Sequence, residues 1–207
     1  NLASYNAFIS RDLPTMYEYF TLLTLGQIML NKSDTEYGIE LLGEAIALVQ
    51  AYSSLPIKAE TAYQLRGVAH FSASNLEHAL TDLEMAVNLD PESLNALSAL
   101  AAVQTLLGDY STALTTVHRA QQLKPDFWNL FDIEGLIYYK SGHYELAIQA
   151  FDRSIELFPG DINMSEAMMS EMRSVIYSHR ALVHAALKDY ERARHDYEVA
   201  VIDDPKD

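Results

Sequence analysis

The chain has 207 residues, about half of them apolar, with a formal net charge of −15 and no cysteine. The length allows one sizeable core or a string of small units, and the charge disfavours nucleic acid and anionic membranes while suiting basic partners. The missing cysteine removes disulfides, thiolate metal sites and Cys nucleophiles. No apolar stretch approaches the roughly 18 residues of a membrane-spanning helix. The chain opens at Asn1 without a charged-then-apolar signal pattern and reads as a piece of something longer. The compartment stays open: the cytoplasm is the first expectation, a cell envelope with a removed targeting segment the second.

Self-similarity organises the elements. Pro91, Pro125 and Pro159 are 34 residues apart, as are Gly67, Ala101 and Gly135, and again Ala79, Ala113 and Ala147. In chain order, residues 1–18 lead into a first helix, and "LLTLGQIM" with "GIELL" mark a first unit at 19–52. "YQLRGVAH" with "ALTDL" mark a second at 60–93, and "LSALAAVQ" with "ALTTV" a third at 94–127. "FDIEGLIY" with "AIQAF" mark a fourth at 128–161, and "YSHRALVH" with "ARHDY" a fifth at 174–207. Each unit reads as two helices. Gly26, Gly67, Ala101, Gly135 and Ala181 sit mid-helix, where Gly costs about 1 kcal/mol relative to Ala, a cost tolerated where a neighbouring helix must come close. Gly38, Ala79, Ala113, Ala147 and Ala193 do the same on the second helix. Asp34, Asn75, Asp109 and Asp189 stand where a side chain can accept from the free N–H groups of the second helix. The first unit departs from the pattern, with Gln50 where proline is expected.

Two insertions break the period, near 53–59 and 162–173. Gly26 to Gly67 is 41 residues, 34 plus 7, and Gly135 to Ala181 is 46, 34 plus 12. The first is expected to lengthen the second helix of its unit towards Pro56. The second, "INMSEAMMSEMR", holds four of the seven methionines and is expected to extend the first helix of the last unit, capped by Asn163 or Ser165. Met164, Met168 and Met172 then share a face with Ile176. That face either packs on the preceding loop or a neighbouring segment, or forms an adaptable apolar surface for a partner helix.

An aromatic, a Gly four residues on, a Tyr three beyond it, then Ala-x-x-x-Phe and Pro: the fourth unit resembles the tetratricopeptide repeat, a 34-residue helix–turn–helix. The resemblance covers most of the chain. It implies an all-α, right-handed superhelical solenoid whose concave face is lined by first helices. At about 100° per residue, the lining should include Phe20, Leu23, Gln27 and Asn31; Thr61, Gln64, Val68 and Ser72; and Asn95, Ser98, Ala102 and Leu106. In the last two units it should include Asn129, Asp132, Leu136 and Lys140, then Val175, Ser178, Leu182 and Ala186. Only Asp132 and Lys140 in this set are formally charged. Family members that hold chaperone C-terminal tails use a clamp of Lys, Arg and Asn here. This chain has Gln, Thr, Ser and Asn instead, which argues against that role. Asn95 and Asn129, 34 residues apart, suggest rungs that hydrogen-bond an extended peptide.

No phosphate-cradling or nucleophile-elbow motif occurs. His179 and His184 fall about 140° apart on a helix, so no metal site is expected, and Glu191 with His195 reads as a surface pair. No catalytic residue and no cofactor are expected. The reading is a non-enzymatic scaffold or adaptor that binds a peptide or helix of another protein. The alternatives are an interaction or regulatory arm of a larger multidomain protein, and a homo-oligomerisation module using the Met-rich helix or the bare C-terminal end.

Overall fold

A computed structural model describes residues 12–52, 57–158 and 165–202. Among them are ten α-helices and no strand. They are α1 (Leu13–Asn31), α2 (Thr35–Ala51), α3 (Glu60–Ser72), α4 (Leu76–Leu89) and α5 (Leu94–Leu106), followed by α6 (Tyr110–Leu123), α7 (Trp128–Lys140), α8 (Tyr144–Leu157), α9 (Glu166–Ala186) and α10 (Tyr190–Ile202). The chain divides into two compact units, Asn1–Val103 and Gln104–Asp207. The expected features at Pro56, Pro159, Asn163 and Met164 lie outside the described residues.

Short turns close each helix pair. One residue per turn holds the left-handed conformation: Ser33 at φ 65°, Ser74 at 61°, Gly108 at 82°, Gly142 at 80° and Lys188 at 62°. Glycine adopts this geometry freely, whereas for the two serines and the lysine it costs roughly 1 kcal/mol each. In three of these turns the next residue caps the following helix with its side chain. Asp34 accepts from the Tyr37 N–H at 3.4 Å, Asp109 from Thr112 at 3.2 Å and Asp189 from Arg192 at 3.2 Å. Asn75, expected to do the same, makes no side-chain cap bond.

In the first unit, α1 packs on α2, α2 on α3 and α3 on α4. Leu42 and Leu83 are fully buried, each contributing about 1.5–3 kcal/mol by burial. The small residues are required by close approach: a Cβ at Gly67 would stand 2.8 Å from Leu83 Cγ. The Tyr19 hydroxyl donates to the Lys58 carbonyl at 3.3 Å. Burial, with the Glu60 carboxylate second, pushes its pKa up to about 12.

In the second unit, α7 packs on α6 and α8, and α9 on α7, α8 and α10. Ala147, Ala150, Phe151 and Ser154 form the buried face of α8 at helical spacing. The Phe151 ring fills the space left by Gly135, where a Cβ would come within 2.6 Å of it. Ser154 Oγ donates to the Trp128 carbonyl at 2.9 Å, and Trp128 stacks edge-on against Phe158 at 5.1 Å. α9 spans 21 residues, with Ser165 at its N-cap accepting from the Met168 N–H at 3.3 Å.

Candidate functional site

The first-helix faces offer a partner different groups in the two units. In the first unit Phe20, Gln27, Thr61, Val68 and Asn95 are exposed, while Leu23, Gln64 and Ser98 are half-buried. Phe20 meets Tyr19 edge-on at 5.2 Å, which orients the exposed ring. Gln64 is partly occupied, its Oε1 accepting from Ser93 Oγ at 3.1 Å. Ser98 Oγ is buried without a hydrogen-bond partner. The face is therefore apolar with side-chain amides and hydroxyls interspersed, and none of these residues is charged.

In the second unit Asn129, Leu136 and Ser178 are half-buried. Leu136 packs against the buried cluster of Ala147, Phe151 and Val183. Asp132 departs from the expected lining. It is 5% exposed, and its carboxylate lies 2.9 Å from His179 Nδ1. A carboxylate that deep needs a partner, so it ties α7 to α9 in the floor of the face. The large apolar side chains that reach solvent on α9, among the described residues, are Met168, Val175 and Leu182, seven residues apart and so on one side of the helix. Met172 is half-buried and Ile176 fully buried. The methionine face thus turns from solvent into core along the helix, and Met164 lies outside the described residues.

The strongest polar constellation matches no catalytic or binding motif expected from the sequence. Arg66 of α3 grips Asp82 of α4 with two parallel bonds, Nε to Oδ2 and Nη2 to Oδ1, both at 2.7 Å. Arg180 of α9 grips Asp196 of α10 in the same way at 2.8 and 2.7 Å, and its Nη1 also donates to Asp152 of α8 at 2.6 Å. Burial pulls the Arg180 guanidinium down, but the bonds it donates to Asp196 and then Asp152 outweigh it and hold it above its ordinary value. The bonds that Arg66 donates to Asp82 raise it against a smaller opposing effect of burial. His70 and His184 lie one turn beyond the arginines, and burial lowers the pKa of both. The signal was present in the sequence: Tyr-x-x-Arg-(Gly/Ala)-x-x-His occurs at 63–70 and 177–184, with Asp three residues after Ala79 and Ala193.

Arg180, His184, Arg192, His195, Asp152 and Asp196 also border a depression of about 300 Å³. Its two aspartates are engaged by Arg180, so the arrangement balances charge internally. Among the described residues no group of three or more His, Asp or Glu side chains could hold a metal ion, and no helix is long and apolar enough to cross a membrane.

Known proteins share this architecture. Residues 129–161 match the profile of the tetratricopeptide repeat. Superkiller complex protein 3 of Mus musculus is 27% identical over 164 residues, covering 79% of this chain and 10% of that protein. The crystal structure of TTC0263, a thermophilic tetratricopeptide protein of Thermus thermophilus, superposes with a TM-score of 0.70 at 18% identity, over 91% of this chain and 93% of that one. MamA from Desulfovibrio magneticus RS-1 superposes with a TM-score of 0.67 at 16% identity, over 89% and 93% of the two chains. The chain thus spans about a tenth of the mouse relative's length.

Proposed function

Because the chain is a tetratricopeptide-repeat protein, we propose that it is a non-enzymatic scaffold whose first-helix faces hold a peptide or helical segment of another protein. Proteins built this way generally act as interaction scaffolds, and the reading adds where and what. One observation carries it. In a chain of net charge −15, the exposed first-helix residues Phe20, Gln27, Thr61, Val68 and Asn95 are uncharged and mix apolar surface with hydrogen-bonding groups. Such a face suits apolar anchors and a peptide backbone, while the surrounding acidity favours basic flanks. None of these five residues is a Lys or Arg that would hold a terminal carboxylate.

The test starts from an unbiased displayed peptide library selected on the full chain, with the chosen peptides measured by calorimetry. Peptides with an apolar anchor and basic flanks are expected, and Val68→Glu or Asn95→Ala should weaken them by about five-fold or more. Selected peptides indifferent to both substitutions would sink the reading. A second reading, an interaction arm of a larger protein, draws on the small share of the mouse relative that the chain spans.

A further inference from the structure

Four of the histidines lie beside an oxygen partner: His118 beside Glu134, His143 beside Ser141, His179 beside Asp132 and His184 beside Asp196. His70 and His78 differ. Among the described residues neither side chain makes a hydrogen bond or an ion pair, and His70 Nδ1 is buried without a partner. His70 stands in the last turn of α3 and His78 in the first turn of α4. The intervening turn, with Ser74 in the left-handed conformation, folds α4 back on α3. It brings the two rings to 5.2 Å between centroids, tilted by 32°.

That spacing suits two ligands on one ion. With Zn–N bonds of about 2.0–2.1 Å, two imidazoles on a tetrahedral zinc ion have ring centroids about 5 Å apart. His78 is exposed and His70 half-buried, so an ion can reach the pair from the His78 side. No hydrogen bond fixes the tautomer of either ring, so each can offer a lone pair. Burial, more than any neighbour, lowers the pKa of His70, which keeps that imidazole in the neutral form a metal needs. Asp82 meanwhile favours positive charge at the same place.

The α9–α10 pair shows what the same corner holds elsewhere. There His184 corresponds to His70 and Arg192 to His78. Arg192 brings a fixed positive charge, paired with the N-cap Asp189 at 3.4 Å. In α3–α4 a histidine and Asn75 stand in place of that arginine and aspartate, and Asn75 makes no side-chain cap bond. We propose that His70 and His78 together bind a divalent transition-metal ion of the zinc class, which staples α3 to α4 across this turn. Imidazole suits zinc, copper and nickel, whereas magnesium and calcium prefer oxygen ligands. Two protein ligands leave the remaining positions to water, so the ion is exchangeable, unlike one held in a closed four-ligand structural site. Neither histidine belongs to the first-helix lining, so the site stands whether or not that lining binds a peptide.

The probe is Zn²⁺, titrated by calorimetry into the full chain with Mg²⁺ in excess to occupy the carboxylates of this acidic protein. Saturable binding is expected, with the imidazole resonances of His70 and His78 shifting together in NMR spectra. His78→Gln, at an exposed position that should not disturb folding, is the deciding variant. Loss of even an outer partner of a metal ligand costs about 10–100-fold in affinity, so this loss of a ligand should weaken binding by about ten-fold or more. Zn²⁺ should also raise the unfolding temperature of the wild type and not that of His78→Gln. His195→Gln, at an exposed histidine of the second unit, should bind as the wild type does. The proposal is overturned if Zn²⁺ does not saturate against Mg²⁺. It is overturned also if His78→Gln binds Zn²⁺ as tightly as the wild type, which would assign the ion to carboxylates.

Discussion

The α3–α4 and α9–α10 pairs hold the same device, an arginine clamped by an aspartate across the two helices, 114 residues apart (180 minus 66). Their inner sides are nearly identical. Asp82 and Asp196 have side chains 5% and 2% exposed, and each accepts two parallel bonds. Their outer sides differ: Arg180 has Asp152 of the preceding helix, whereas Arg66 faces Gly43 there. The inner pair builds the repeat, and the outer contact reads the neighbour. That division explains how one repeat chemistry can be kept while the junctions vary.

Removing the inner carboxylates gives the largest effect. A buried ion pair adds little net stability over an apolar substitute, but stranding one partner costs about 3–5 kcal/mol. Asp82→Ala leaves Arg66 without the one carboxylate that binds it among the described residues, so about 3 kcal/mol should be lost in urea unfolding. Asp196→Ala leaves Arg180 still bound to Asp152 and should cost less, about 2 kcal/mol. Equal losses, or the reverse order, would mean that the outer contact contributes nothing and that the two regions are the same device throughout.

Asp152→Ala sharpens the same comparison at smaller scale. The Asp152 side chain is 48% exposed, so its pair with Arg180 behaves like a surface bridge and the loss should stay below about 1 kcal/mol. In the Asp196→Ala background Asp152 becomes the remaining partner of Arg180, and its removal should cost more than in the wild type. The double-mutant cycle measures that coupling directly; strict additivity would show that the two carboxylates act independently of each other.

The fold was legible in the sequence because its constraints are local and periodic. Small residues at Gly26, Gly67 and Gly135 mark helix contacts, and Asp34, Asp109 and Asp189 mark helix starts. Such signals survive because a 2.6 Å approach to Phe151, or an open N–H, leaves few residue types to choose from. The turns were only half legible: Gly108 and Gly142 betray the left-handed residue, while Ser33, Ser74 and Lys188 hold it at a cost that the tertiary packing covers. The candidate site was harder to read. Angular position on an ideal helix brought Asp132 to the lining, yet a neighbouring His179 drew it into the floor. Which carboxylate finds a buried partner depends on a second helix 47 residues away, and helical phase carries no information about that. The Arg–Asp device was visible only as one motif repeated in two of the units.

The two histidines that follow the arginines carry the comparison to its smallest expected effect. Both are held neutral mainly by burial. Around His184, Asp196 and Asp189 favour the proton while Arg180 and Arg192 oppose it; around His70, Asp82 favours it while His78, with its ring 5.2 Å away, and Arg66 oppose it. Each has a folded pKa below the 6.5 of an unfolded chain. On acidification the unfolded chain therefore takes up the proton first. The stability contributed by the neutral imidazoles is complete above pH 6.5 and falls as the pH drops from there towards the folded values. Imidazole resonances followed by NMR should both titrate below 6.5, and His184→Gln and His70→Gln should each flatten part of the fall in stability on the acid side. A resonance of either histidine titrating at or above 6.5 would mean that its aspartate outweighs burial, and the sign of the pH dependence would then reverse for that repeat alone.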